Sequence, residues 1–116
     1  MATTVLIVDD HPAFRASARR VLEDEGFEVV GEAADGAAGL ALASELKPEV
    51  VLLDVVLPDH SGFEVAEQLD GPKIVLTSSR DRRDLGPRLD SSPAVGFISK
   101  DQLSGERIRE LLERAA

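Results

Sequence analysis

Two short runs without a charged side chain, Thr4-Val5-Leu6-Ile7-Val8 and Val50-Val51-Leu52-Leu53, each stop at aspartate. Asp9-Asp10 closes the first and Asp54 the second. Runs this short and apolar throughout read as strands buried on both faces, the condition of a parallel sheet covered by helices. In open sheets of that kind ligands bind just beyond the carboxyl ends of the strands. Three carboxylates delivered to one edge therefore converge on one pocket. They cannot all be ionised at close range without a cation, a proton, or both. A hard, oxygen-preferring divalent ion such as Mg2+ suits such a pocket.

The rest of the chain alternates helix and strand. The first strand covers about 4–9. A helix follows from about Pro12 to Glu25, with Phe14, Ala18, Val21 and Leu22 on one face, proline at its start and Gly26 after its end. Residues 27–33 form a second strand. Asp35 then caps an alanine-rich helix that runs to about Lys47 and stops before Pro48. The third strand is 50–54, followed by the turn-rich loop Leu57-Pro58-Asp59-His60-Ser61-Gly62 and a short helix near 63–69. Strands four and five fall at 73–77 and 95–99. A last helix, about 103–115, buries Ile108, Leu111, Leu112 and Ala115. Five strands alternating with helices predict an α/β, doubly wound five-stranded parallel sheet. Residues 80–94 hold Gly86, Pro87 and Pro93. An interior proline costs a helix about 3 kcal/mol, so the fourth helix is expected to be short or irregular.

At 116 residues the chain is expected to form one domain, 1–116, and at 43% hydrophobic it can build a core unaided. It has no cysteine, which excludes disulfides, thiolate zinc sites and thiol catalysis. No stretch reads as a bilayer span or a signal segment, so a soluble, cytoplasmic setting is expected. A net charge of −9, from 22 acidic and 13 basic side chains, disfavours direct nucleic-acid binding. Arg80-Asp81-Arg82-Arg83 reads as solvated surface, and four Phe without Trp or Tyr offer little base-stacking area.

The carboxyl-edge argument adds two groups: Thr77, at the end of strand four and followed by Ser78, and Lys100, at the end of strand five. Carboxylates, a metal, a hydroxyl and an ammonium around one centre suit a phosphoryl group, because cation and donors neutralise its oxygens. A carboxylate can itself be the nucleophile.

Here the chain resembles the receiver domain of two-component response regulators. Val5-Leu6-Ile7-Val8-Asp9-Asp10-His11 is similar to that family's first strand and acidic pair. Leu52-Leu53-Asp54-Val55-Val56-Leu57-Pro58 with Gly62 resembles its phosphorylation strand and loop, Ile74-Val75-Leu76-Thr77-Ser78 its fourth strand, and Gly96-Phe97-Ile98-Ser99-Lys100 its fifth. The four motifs occur in order across essentially the whole chain. The resemblance implies a flavodoxin-like (βα)5 fold with Asp54 as phosphoacceptor. Mg2+, or Mn2+ in its place, would be held by Asp9, Asp10, Asp54 and the backbone carbonyl of Val56. Lys100 and Thr77 would contact the phosphoryl group, and Phe97 would be the aromatic that changes place with Thr77. It further implies a sensor histidine kinase or phosphotransfer protein as donor, an output protein or domain read through the face of the fourth helix, fifth strand and last helix, and homodimerisation as one form of output. Such a chain is a signalling module, not a metabolic enzyme.

Three departures stand out. Asp101 follows the lysine where the family commonly has proline, the 80–94 helix is weak, and the Asp54–Thr77 span is short, implying a clipped third helix. Taken singly, Asp9 and Asp10 also suit a turn or a helix cap, Ser78 competes with Thr77, Phe97 is a core residue first, His11 lines the rim and His60 is solvated. A different class, the metal-dependent phosphatase with Asp-x-Asp-x-Thr after its first strand, lacks its spacing here. A flavin-binding domain of similar architecture lacks its phosphate loop. A pseudo-receiver, binding partners without phosphorylation through 80–94, is the alternative.

Overall fold

The computed structural model describes residues 2–79 and 85–114; Arg80-Asp81-Arg82-Arg83 and Ala115 lie outside them. Five strands, β1 (Thr4–Val8), β2 (Glu28–Ala33), β3 (Val50–Asp54), β4 (Lys73–Ser78) and β5 (Gly96–Ser99), form one parallel sheet in the order β2-β1-β3-β4-β5. Between them run α1 (Pro12–Asp24), α2 (Gly36–Leu46), α3 (Gly62–Gln68) and α4 (Pro87–Ser91), with α5 (Gly105–Arg114) last. This is the doubly wound α/β fold that the alternation predicts. No described helix is long and apolar enough to cross a membrane.

Strand residues alternate between two cores because successive side chains leave a sheet on opposite faces. Val5, Ile7, Leu52, Val75 and Ile98 pack with Ala18 and Leu22 of α1 and Ile108 of α5. Leu6, Val8, Val51, Leu53, Ile74 and Leu76 face the other way, onto Ala43 of α2 and Phe63, Val65 and Ala66 of α3. Both faces of the central strands are thereby dry, which is why their sequences carry no polar alternation.

Several boundaries move by a residue or two. β1 stops at Val8, although the Asp9 N–H still donates to the Ala33 carbonyl at 3.0 Å. The last helix starts at Gly105 because a 3-10 turn, Lys100–Gln102, intervenes and Ser104 then caps the helix. Its hydroxyl accepts from the Arg107 N–H at 3.1 Å. No cis peptide bond occurs among the described residues, so the Lys100–Asp101 link is trans. As expected, α3 is clipped to seven residues and α4 is a five-residue fragment. The end of α1 is fastened to α5 by Arg109, which donates to the Glu25 carbonyl at 2.7 Å and lies over the Phe27 ring at 4.9 Å.

Candidate functional site

Strand register brings the chemistry together. Val8 pairs with Leu53 and Asp54 pairs with Thr77, so Asp9 after β1, Asp54 at the end of β3 and Thr77, one residue short of the end of β4, share the carboxyl edge of the sheet. Lys100 follows β5 and reaches back across that edge. Asp9, Asp54 and Thr77 are all buried, and the Lys100 side chain is 14% exposed. The Lys100 ammonium stands 3.1 Å from Asp54 Oδ2, to which it donates, and 2.7 Å from Asp9 Oδ2. The second contact is a close ion pair, and no other donor among the described residues reaches Asp9 Oδ2. On the solvent side the Phe14 ring of α1 covers the ammonium at 4.7 Å.

One ammonium cannot neutralise two buried carboxylates, and the charged groups respond accordingly. Burial raises the Asp54 carboxyl above its ordinary 3.8, and the Asp9 charge adds to this. The Val56 N–H, donating to Asp54 Oδ1 at 3.1 Å, and Lys100 pull against the rise without cancelling it. For Lys100, burial alone would depress the ammonium. Its close contact with Asp9 and the charge of Asp54 outweigh burial and hold it above 10.5. The lysine is thus stabilised in its charged form and Asp54 is not. Asp10, half-exposed, adds another carboxylate at the mouth.

The donor set accommodates a hard divalent cation. Ligand atoms of Asp9, Asp10, His11 and Asp54 all lie within 4.8 Å of one another, and three of the four are carboxylate oxygens. The Thr77 Oγ1 hydroxyl is buried with no hydrogen-bond partner among the described residues, a costly state unless some group arrives to receive it. All five residues predicted for the site, Asp9, Asp10, Asp54, Thr77 and Lys100, meet here. Ser78 is buried too, in the next position of the strand, where side chains leave the sheet on the opposite face. Phe97 pairs with Leu76 in register and packs, partly buried, against the α2–α3 core.

Three contributors were not legible as such. Arg15 of α1 donates to the Asp9 carbonyl at 2.6 Å while its Nε donates to Glu32 at 3.1 Å, bracing the acidic pair against β2. His11, expected to line the rim, with contact to the phosphoryl group or water as the lesser reading, does lie there but turns Nδ1 toward Asp9, Asp10 and Lys100. Asp59, read as a turn residue, accepts from the Gly36 and Ala37 N–H groups at 2.7 and 2.9 Å. With Asp35 accepting from Ala38 at 2.7 Å, the first turn of α2 is capped, partly by the loop that follows Asp54. His60 sits beside Asp59, its Nε2 at 3.9 Å from the carboxylate.

The Ala37 and then the Gly36 N–H groups hold the Asp59 carboxyl below its ordinary 3.8. A depressed folded-state value means stability that is present above 3.8 and lost as pH falls through the folded value. Asp59→Ala is therefore expected to melt below wild type at neutral pH, with the gap closing in acid. Equal melting temperatures across the whole range would show that this tether carries nothing.

The family model described as the response regulator receiver domain matches residues 5–113. The chain is 40% identical over 101 residues to the response regulator GacA of Pseudomonas aeruginosa, covering 83% of this chain and 47% of that protein. It is 38% identical over 108 residues to the transcriptional regulatory protein LiaR of Bacillus subtilis, covering 88% of this chain and 51% of that protein. Among solved structures, a two-component response regulator of the LuxR family from Aurantimonas sp. SI85-9A1 superposes with a TM-score of 0.84 at 28% identity, covering 99% and 85% of the two chains. The chain spans about half the length of the curated relatives it matches.

Proposed function

The chain belongs to the response regulator receiver family, and on that premise we propose that it accepts a phosphoryl group on Asp54 and passes the change on as a signal. The observation that carries this reading is the environment of Asp54. Its carboxylate is buried at a strand end, one oxygen held by the Val56 N–H and the other by the Lys100 ammonium, beside the unpartnered hydroxyl of Thr77. A nucleophile with an adjacent cation and an idle donor is what a phosphoryl oxygen would need.

Asp9, Asp10, Asp54 and the Val56 carbonyl would hold Mg2+, with Mn2+ as a substitute. The cation, when bound, neutralises charge on the transferring phosphoryl oxygens. Asp54 attacks phosphorus in line as the P–N bond of a phosphohistidine breaks and its electron pair leaves with the imidazole. Lys100 leaves its carboxylate contacts for a phosphoryl oxygen, and Thr77 donates to another. Drawing Thr77 inward frees space that Phe97 can fill, and the face formed by α4, β5 and α5 repacks. Residues 1–116 would act as one such unit. Acting in the cytoplasm, it would take the group from a sensor histidine kinase or phosphotransfer protein. Its output would be an attached domain, a separate protein or a second copy.

Intact-protein mass after incubation with acetyl phosphate and Mg2+ tests the reading. Wild type is expected to gain one phosphoryl group, and Asp54→Asn or a chelator to abolish the gain. A folded protein that binds Mg2+ yet accepts nothing from acetyl phosphate, phosphoramidate or a kinase would sink it.

A further inference from the structure

Among the described α-helices only α4 buries no residue. It has five residues and starts at Gly86, φ 53°, without a side-chain cap. So short a helix has little stability of its own, and its place depends on what its side chains reach. Leu89, and Leu85 two residues before the helix, pack partly buried against the α2–α3 core. Apolar contact is non-directional, so it holds α4 down without fixing where it sits. Between α4 and the loop after Asp54 lies a cleft of about 420 Å3, whose walls include Val56, Leu57, Pro58 and Phe63. Arg88 spans that cleft. Its guanidinium lies over the Phe63 ring at 4.5 Å and donates to the Ser61 hydroxyl at 3.3 Å. Ser61 in turn forms a β-bridge with Val56, whose N–H donates to Asp54 Oδ1 at 3.1 Å. One exposed arginine thus ties α4 to the residue that touches the phosphoacceptor.

We infer that Arg88 is an inhibitory latch: it holds α4 in its resting place and opposes the phosphorylated state of Asp54. The inference rests on the receiver reading and adds a route from Asp54 to α4 that does not pass through Thr77 and Phe97. Phosphorylation moves the negative charge from the Asp54 carboxylate onto the phosphoryl oxygens. The Val56 N–H loses its charged acceptor and follows that charge, and Ser61 moves with it across the bridge. The Arg88–Ser61 bond, already long for an N–H donor, yields first. Coupling of this kind is reciprocal. If the phosphoryl group loosens the latch, loss of the latch must tighten binding of a phosphoryl group.

The test is an equilibrium titration of the whole chain with beryllofluoride and Mg2+, a reversible mimic of the phosphoryl group, followed by fluorine NMR. Arg88→Ala is expected to bind the mimic about two- to fivefold more tightly than wild type, the scale of an exposed cation–π contact. The sign decides. An arginine that merely attracts anions would weaken binding when removed, and a merely structural one would leave it unchanged; either result overturns the inference. Arg107→Ala, which takes the same charge from α5, is expected not to tighten binding, and tightening there overturns it too. In the absence of the mimic, Arg88→Ala is expected to move the Leu85 and Leu89 methyl resonances toward their positions in mimic-bound wild type. Resonances that stay in place refute the latch. Labelling by acetyl phosphate, run in parallel, separates the two failures. If wild type is labelled and binds the mimic while Arg88→Ala binds no tighter, this inference alone falls. If wild type does neither, the receiver reading falls and takes the latch with it.

Discussion

Gly62→Ala is expected to lower the unfolding free energy by about 3 kcal/mol or more. Gly62 begins α3, where helix propensity alone would favour alanine by about 1 kcal/mol. The close approach of the backbone reverses that sign. A Cβ at Gly62 would lie 2.1 Å from the Asp54 carbonyl oxygen and 2.7 Å from the Val55 Cα, both main-chain atoms that cannot rotate away. The Gly62 N–H also donates to the Val55 carbonyl at 2.7 Å, and Val56 bridges Ser61, so the loop is closed at its neck. Relieving the clash means moving the end of β3, and Asp54 with it. Urea denaturation measures the loss, and acetyl phosphate labelling of whatever remains folded should fall in parallel. A variant as stable as wild type would show that the neck opens without cost.

Lys100→Met is expected to cost roughly 3 kcal/mol at neutral pH, because it strands the buried carboxylates of Asp9 and Asp54 without their cation. The pH dependence carries its own signature. The folded-state value of Lys100 is raised, so its contribution is full below 10.5 and disappears as pH climbs through that raised value. Wild type should therefore lose stability in alkali through this group, and Lys100→Met should not. In acid the variant should close on wild type, since Asp54, already raised above 3.8 by burial, takes up a proton more readily once the ammonium is gone. Denaturation curves from about pH 4 to about pH 11 would display both limbs. A loss under about 0.5 kcal/mol, the size of a solvated surface pair, would refute the buried trio.

The two variants probe parts of the protein that differ in how visible they are in one dimension. Asp54 announces itself, since an aspartate that ends an apolar run is a local pattern and the strand it ends is buried on both sides. Gly62 is legible only as part of a turn. That its missing Cβ makes room for the Asp54 carbonyl depends on how tightly the loop returns. The irregular fourth helix was readable from Gly86, Pro87 and Pro93, because proline and glycine act on their own backbone. The two-residue shift at the start of α5 comes from the 3-10 turn after β5, although Ser104, a far better N-cap than Leu103, was a local signal for it.

Asp59, Arg15 and His11 show the same limit within the site. Asp59 sits 23 residues from the Gly36 N–H that it caps, and Lys100 lies 46 from Asp54 and 89 from His11. Strand runs, helix faces, caps and turns are set by interactions within a few residues, so the elements, their order along the chain and the acids and lysine at strand ends could be read from sequence alone. Which of those ends become neighbours is set by the β2-β1-β3-β4-β5 order and the parallel register that puts Asp54 against Thr77. Only the folded sheet decides that two carboxylates share one ammonium, that a threonine hydroxyl is left without a partner, and that a rim histidine turns its nitrogen inward. Charge, hydrogen bonding and burial act through space, and spatial neighbours exist only once the strands have paired.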